Sequence, residues 1–389
     1  MAESIINSET KKSVTALNMG TLGDTVVQKK KEKNSGIEAL FIKFTKISVR
    51  DKLFFLQQLS IMIQTGISLA VALKTLRDQT SNKRFKFILT DLQNFVERGN
   101  LFSDGLQKYK NVFGELFINM IRAGESTGRL EEVLKQLFLQ MKKDHDTVSK
   151  VRGAMIYPVV VLTAMVVISI LIIVFVIPSL LSIFKEFGGK LPLPTRVLIA
   201  ISNFLTAYGI FVLIAVIIMV IAFIRIIRLP KGRFIFHATL LTMPILGAII
   251  KKINLARFAR TLSSLLKTDI AIITSFEITS KILGNELYRR SLLDAREKIQ
   301  KGMKIHESLE PYQKLFPPVV LQMVSVGEET GSLDVILEQM AGFFEDEVDQ
   351  TMKNLPTIIE PLLILVLGVG VALLSVAVIL PIYSLADQI

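Results

Sequence analysis

A seven-residue segment that occurs twice constrains this chain more than any other feature of its sequence. The segment GESTGRL at residues 124–130 returns as GEETGSL at residues 327–333, an offset of 203 residues (327 − 124). The same offset aligns like residues over 55–150 and 258–353 without a gap. A period this long indicates a duplicated domain and not a solenoid array.

Three segments lack Asp, Glu, Lys, Arg and His entirely, and they account for much of the 51% hydrophobic content. They lie between Arg152 and Lys185, between Arg196 and Arg225, and between Glu360 and Asp387. Each is longer than the roughly 20 apolar residues that cross a bilayer core. The sequence therefore predicts three transmembrane helices, of which the first and third follow equivalent points of the repeat.

The polar regions carry apolar residues at three- and four-residue spacing, which is typical of helices, and they show no alternating strand pattern. We therefore expect an all-α membrane protein with two homologous antiparallel helical bundles of about six helices each, plus three transmembrane helices. The expected parts are a flexible polar arm at 1–45, a first helical domain at 46–156, a transmembrane helix at 157–180, a loop at 181–204, a second transmembrane helix at 205–225, a second helical domain at 226–360, a third transmembrane helix at 361–383 and a tail at 384–389.

The repeated motif is predicted to join two helices of each bundle. Gly124 is expected to end one helix at positive φ, and Thr127 or Gly128 to begin the next. The second helix then forms a stem that reaches the membrane at a proline, giving a first stem (residues 130–158) and a second stem (residues 333–361). The residues assigned to the turns and to the membrane entrances are Gly124, Glu125, Thr127, Gly128 and Pro158 in the first copy, and Gly327, Glu328, Thr330, Gly331 and Pro361 in the second.

Topology follows from the repeat, because homologous polar domains are expected to face one compartment. The middle transmembrane helix has no counterpart in the repeat and returns the chain to the first side. Basic residues flank the spans on the domain side, and the first residues lack the pattern of a signal peptide. We expect both domains and the N-terminus in the cytoplasm, and the C-terminal tail on the far side.

The formal charge of +12 resides mainly in the first polar domain, where the cations alternate with apolar residues. That pattern argues against nucleic-acid binding and fits a cytoplasmic surface beside anionic lipid. The stems differ in charge, with Lys142 and Lys143 in the first and Glu345, Asp346 and Glu347 in the second. Two interpretations stay open: a solvated helix face, or surfaces that diverged to meet different partners or neighbouring subunits.

The chain shows no constellation for catalysis, and no cofactor or metal is predicted. It contains no GxxxxGK[ST] phosphate loop, its three histidines are scattered, and it has no cysteine. Glu125 and Glu328 stand one per domain and are expected to bind backbone amides at helix ends. The spans hold no ionisable residue, which a coupled transporter would normally carry.

These features give the chain a resemblance to a known family. With two GE-x-T-G-x-L turns, each followed by a long helix and a span opened by a proline, and with LPLPTR at residues 191–196, it resembles the type II secretion F and type IV pilus assembly platform proteins (GspF/PilC-like) over residues 46–389. The second copy replaces the Tyr157-Pro158 pair with Glu360-Pro361, so the copies are not interchangeable.

The resemblance implies a non-enzymatic, multi-pass protein of the bacterial inner membrane that forms a dimer or higher homo-oligomer. It implies contacts with a hexameric secretion or pilus ATPase, with pilin or pseudopilin, and with other inner-membrane assembly proteins. The ATPase would drive pilin assembly or retraction through the stems. The alternatives are a transporter or channel subunit with two regulatory cytoplasmic domains, and a membrane-bound enzyme.

Overall fold

The computed structural model describes residues 45–178 and 193–386, and all regular structure within those ranges is helical. The expectation of an all-α chain is thus confirmed for the described residues. The predicted arm up to residue 44, the predicted loop over 181–192 and the last three residues of the predicted tail lie outside the described ranges.

The first bundle is built from short helices and the beginning of a long one. Its first helix starts at a capping box, in which the Asp51 amide donates to Ser48 Oγ and the Ser48 amide donates to Asp51 Oδ2, both at 3.0 Å. The helices are α1 (Val49–Gln64), α2 (Leu69–Gln79), α3 (Lys83–Glu97), α4 (Phe102–Gln107), α5 (Lys110–Phe113), α6 (Glu115–Thr127) and α7 (Leu130–Leu171).

The second bundle repeats this order after a membrane-spanning helix. The membrane-spanning helix is α8 (Leu193–Arg228). The elements that follow it are α9 (Pro230–Thr242), α10 (Pro244–Lys267), α11 (Ile272–Ile282), α12 (Glu286–Gln300), α13 (Ile305–Leu309), a 3₁₀ turn (Glu310–Tyr312), α14 (Pro318–Thr330) and α15 (Leu333–Ala386). The sequence did not predict α9 as a separate helix. It packs on α10 and α12 and adds Leu241 to the core of this bundle.

Three aromatic rings at repeat-equivalent positions form the centre of each core. In the first bundle they are Phe55, Phe85 and Phe113, and in the second Phe258, Tyr288 and Phe316. The ring centroids of the equivalent pairs Phe85–Phe113 and Tyr288–Phe316 are 6.3 and 5.4 Å apart. Burying one such ring stabilises a fold by about 1.5–3 kcal/mol, so the duplicated cluster is a main reason for the duplicated bundle.

Three helices are long and apolar enough to cross a membrane, as predicted: Leu130–Val176, Thr195–Arg228 and Leu333–Ala372. The bent pair α9 and α10, which turns by 108°, also meets the criteria of length and composition. However, Leu255, Phe258 and Leu262 of α10 are buried in the second bundle, and we therefore count α10 as a bundle helix.

The prolines do not open separate helices, contrary to the prediction. Pro158 lies inside α7 and Pro361 lies inside α15, so each stem and its span form one helix. Membrane helices tolerate such prolines because the surroundings can satisfy the freed carbonyl groups. The second span is also longer than expected, because α8 extends from Leu193 to Arg228, with a kink at Tyr208.

The contacts divide the chain into two compact units between Phe138 and Leu139. The first unit contains α1–α6 and the beginning of α7. The second contains the rest of α7 and all following helices. The first stem therefore contributes its residues from Leu139 onward to the unit that contains the second bundle.

Candidate functional site

Each copy of the repeated motif ends one helix and begins the next. Helix α6 continues through Gly124 to Thr127, and the residue with positive φ is Gly128 (+69°). The prediction that Gly124 ends the helix was therefore wrong. The second copy repeats this arrangement, with Gly327 and Thr330 inside α14 and Gly331 at φ +68°.

Gly124 is required for another reason, namely the close approach of the two joined helices. A Cβ atom on Gly124 would lie 2.9 Å from Val133 Cγ2 and 3.2 Å from Leu130 Cα. A Cβ atom on Gly327 would lie 3.0 Å from Leu333 Cα. Both glycines therefore permit the stem to cross the preceding helix at its first turn.

The two glutamates of the motif bind the first amides of a short helix in their own bundle. Glu125 accepts from the Phe102 amide at 2.6 Å and from the Ser103 amide at 2.9 Å, at the start of α4. Both carboxylate oxygens are thus used, and the negative charge faces the positive end of a helix. This geometry gives Glu125 a structural role of the kind expected from the sequence.

Glu328 repeats this arrangement at the start of α13 and adds a histidine. It accepts from the Ile305 amide at 2.8 Å and from the His306 amide at 3.4 Å, and its Oε2 lies 2.9 Å from His306 Nδ1. The hydroxyls of the motif are also engaged, since Thr127 donates to Ala123 O and Thr330 to Val326 O.

A tyrosine–aspartate pair accompanies each turn and was not predicted. Tyr109 donates to Asp91 Oδ2 at 2.9 Å, and Tyr312 donates to Asp294 Oδ2 at 2.8 Å. Burial, together with the Asp91 carboxylate, raises the pKa of Tyr109 to about 12. Asp91 and Asp294 matched in the repeat, but their partners became visible only in the fold.

Within the described residues, no group of three His, Cys, Asp or Glu side chains could hold a metal ion.

The second unit contains an interface between the first stem and α10. Gln140 is buried there: its amide donates to Thr261 Oγ1 at 3.2 Å, and its carbonyl accepts from Ser264 Oγ at 3.1 Å. Further along the stem, Val151 and Ala154 pack against an apolar cluster of the second unit. Sequence reasoning missed this network, although its signal was present as polar side chains in otherwise apolar helical stripes.

The stem charges that the sequence singled out are partly paired with one another at this interface. Lys143 lies 3.1 Å from Glu345, whose side chain is only 10% exposed. Arg260 binds both oxygens of Glu345, at 2.8 and 3.0 Å. A buried carboxylate with two cationic partners is compensated for its desolvation, so Glu345 serves packing inside the unit.

The other charged stem residues lie nearer the surface. Glu347 pairs with Lys252 at 2.8 Å, and Lys150 pairs with Asp349 at 2.7 Å. Lys142 and Asp346 are exposed. Of the charges proposed as a partner surface, Lys143, Glu345 and Glu347 thus form ion pairs within the chain, and a role of any of these charges toward a partner stays a prediction.

Comparison with known proteins identifies the family. The family described as type II secretion system (T2SS), protein F, matches residues 55–178 and again residues 258–381. The chain belongs to this family. The two matches are offset by the 203 residues of the internal repeat at both ends, and they include both turns, both stems and the first and third spans.

Members of the protein F family from several bacteria are similar over most of the chain. A type IV pilus assembly protein PilC of Thermus thermophilus is 35% identical over 87% of this chain and 83% of its own. A PilC protein of Myxococcus xanthus is 34% identical over 89% and 83%. A type II secretion system protein F of Vibrio cholerae is 30% identical over 87% and 83%. Relatives from both machines thus resemble the chain.

Proposed function

We propose that this chain is a non-enzymatic platform protein of the bacterial inner membrane. It couples a hexameric cytoplasmic ATPase to the assembly or retraction of pilin or pseudopilin subunits, and it works as a homo-oligomer beside other inner-membrane assembly proteins. The names of the relatives support the setting in a type IV pilus or type II secretion machine. Both catalysis and nucleotide binding are assigned to the partner ATPase.

One observation carries the coupling: each stem is continuous with its span. Helix α7 runs from the first turn into the apolar segment at Pro158, and α15 does the same at Pro361. A helix without a break transmits a displacement at one end to the other. Movement imposed on a bundle would therefore reach the membrane, where the pilin subunits enter or leave the fibre.

Glycine insertion into the stems tests this coupling. A triglycine inserted after Ser149, or after Met352 at the equivalent point of the second stem, should abolish fibre assembly and leave ATPase binding intact. The same insertion in the exposed turn after Gly302 is the control. Fibre assembly that persists in both stem variants would refute coupling through the stems. Failure to recover a hexameric ATPase by crosslinking would refute the ATPase as a partner.

We place both bundles in the cytoplasm and the C-terminus outside. The parity of three spans and the basic residues beside them support this topology. Because the chain has no cysteine, single cysteines can report it. Ser81→Cys and Ser332→Cys should resist a membrane-impermeant maleimide in intact cells, and Ala386→Cys should react; the reverse result would invert the topology.

The alternative of a transporter or channel subunit has no observation in its favour. Its pore would have to be assembled from apolar segments that contain no Asp, Glu, Lys, Arg or His. Solute or ion flux across the membranes of liposomes that contain the purified protein would support the transporter or channel function.

A further inference from the structure

Helix α1 is the repeat counterpart of the last part of α10, but the two helices differ in what covers them. In α10, Thr261 and Ser264 are completely buried and bond to the first stem. Their counterparts in α1 are Gln58, which is half-buried, and Ile61, which is 47% exposed. Phe54, one turn before Gln58, is 51% exposed. An apolar stripe is thus open on α1 where α10 has an interface.

The second stem shows the complementary difference. Gln140 of the first stem is 5% exposed, whereas its counterpart in the second stem, Phe343, is 58% exposed. Asp346 and Gln350 are exposed on the same side of the helix, because Asp346 follows Phe343 by three residues and Gln350 follows Asp346 by four. At these three positions the second stem therefore leaves exposed the face with which the first stem binds α10.

We propose that the second stem of one chain docks on α1 of a second copy, as the first stem docks on α10 within the chain. The occupant is a second copy because the repeat supplies both halves of the contact, and both are open within one chain. This inference rests on the homo-oligomer of the proposed function and names its surface, and it is independent of ATPase coupling. Both halves belong to parts assigned to the same side of the membrane.

The apolar residues of the two faces match each other. Within the chain, Gln140 contacts Ser264. The residues at the equivalent positions of the other copy are Phe343 and Ile61, and the proposed docking therefore brings these two side chains together. The contact within the chain joins two polar residues, whereas the proposed contact between chains joins two apolar residues. Both members of the pair differ from their counterparts in the same sense. Phe54 lies on the same side of α1, about two helical turns before Ile61. Exposed aromatic and aliphatic side chains of this kind are typical anchors of protein interfaces.

The charges of the two faces also match. Lys150 and Asp349 form an ion pair within the chain. Their counterparts in the repeat are Lys353 and Asp146, which are also one cation and one anion and would form the equivalent pair between chains. Lys353 is 64% exposed and also bonds to Asp349 of its own helix. Exposed pairs of this kind contribute more to the choice of partner and register than to affinity.

Two further ion pairs extend the comparison. The counterparts of Lys143 and Glu345, which form an ion pair within the chain, are Asp346 and Lys142. The positive and negative residues have exchanged places, and the two side chains still have opposite charges. The counterparts of Arg257 and Asp144, which form an ion pair within the chain, are Phe54 and Glu347. These two residues cannot form an ion pair, so this contact has no equivalent between chains. Glu347 is instead bonded to Lys252 within its own chain.

Cysteine crosslinking between two tagged forms of the full-length protein tests the contact. Ile61→Cys is placed in one form and Phe343→Cys in the other, and both are expressed together and treated in membranes with a short bismaleimide. The natural chain has no cysteine, so every adduct reports the pair. We expect adducts that carry both tags. Absence of such adducts, or adducts no more abundant than in the controls, would overturn the proposal.

Matched controls use exposed apolar positions that the repeat does not place in the contact. Phe87, which is 60% exposed on α3, replaces Ile61 in one control, and Val335, which is 44% exposed on α15, replaces Phe343 in the other. A chain that carries both Ile61→Cys and Phe343→Cys should also give dimeric adducts. Adducts confined to single chains would show that the stem covers α1 of its own chain and would overturn the second copy as occupant.

A charge exchange checks the register. Asp146→Lys and Lys353→Asp should each lower the yield of the 61–343 adduct by about threefold, as loss of an exposed ion pair implies. The double variant should restore it, and lack of rescue would overturn the pairing. A protein that is dimeric by particle mass but gives no 61–343 adduct would refute this surface and leave the proposed oligomer and platform function standing.

Discussion

The turn after α6 and the turn after α14 have nearly the same backbone, with φ of +69° at Gly128 and +68° at Gly331. Each glutamate bonds amides at equivalent positions of its own bundle. The stems that leave the turns differ, because the first carries buried Gln140 and the second carries exposed Phe343. The duplicated chain thus keeps the contacts that close each bundle and varies the face that each stem presents.

The largest effects are expected at the glycines where the copies agree. Gly124→Ala and Gly327→Ala should each destabilise their bundle by about 2–3 kcal/mol, because the added Cβ meets the next helix at 2.9 and 3.0 Å. Hydrogen exchange followed by mass spectrometry measures the two bundles separately. Gly342→Ala is the control: nothing lies within 4 Å of its Cβ position, so it should stabilise α15 by about 1 kcal/mol. Equal protection of variant and parent would refute the close approach.

The glutamates come next, and here the copies should differ slightly. Glu125→Ala and Glu328→Ala each remove a charged acceptor from two amides, at an expected cost of about 1.5–2 kcal/mol. The second variant should lose more, because His306 also loses its partner. Faster exchange should appear at the starts of α4 and α13. If Glu125→Ala costs as much as Glu328→Ala, the histidine contact contributes nothing.

The stem interface is where the copies are expected to diverge most in kind. Gln140→Ala leaves the Thr261 and Ser264 hydroxyls without the amide and should destabilise the second unit by about 1 kcal/mol. The equivalent substitution, Phe343→Ala, alters a side chain that is 58% exposed within one chain and should leave the hydrogen exchange of α10 unchanged. Hydrogen exchange of α10 peptides distinguishes the two. A larger loss for Phe343→Ala would show that the stems play equivalent roles within one chain.

Sequence reasoning predicted the elements that depend on local pattern. The offset of 203, the apolar segments and the helical spacing led to the two bundles and the three spans, because these signals lie along the chain itself. Gly124 shows the limit of this approach. A glycine that ends a helix and a glycine that lets two helices touch have the same letter, and only the position of Val133 distinguishes them.

Contacts between distant segments could not be predicted in the same way. Gln140 meets Thr261 and Ser264 more than 120 residues away, and no local pattern pairs them. The acidic run at 345–347 looked like one surface, yet Glu345 is buried against Arg260 while Asp346 is exposed. Neighbours in a helix point in different directions, and the charge of a segment therefore does not reveal which of its members face solvent.

The smallest effect concerns α9, which contacts the second bundle at His237. The Glu286 amide donates to His237 Nδ1 at 2.9 Å, so the ring must be unprotonated at that nitrogen. Burial and the nearby Arg233 lower the pKa of His237, with Glu286 acting in the opposite direction.

The folded-state pKa therefore lies below the unfolded value of about 6.5. The stabilisation is complete above the unfolded pKa and is lost as the pH falls below it and through the lower folded-state pKa. Exchange in α9 and at the start of α12, corrected for intrinsic rates, should quicken as the pH falls below about 6.5. His237→Gln should remove this step and His145→Gln should keep it. Because helices α1–α6 contain no histidine, the first bundle should show no corresponding change, and a step of equal size there would break the contrast between the two copies.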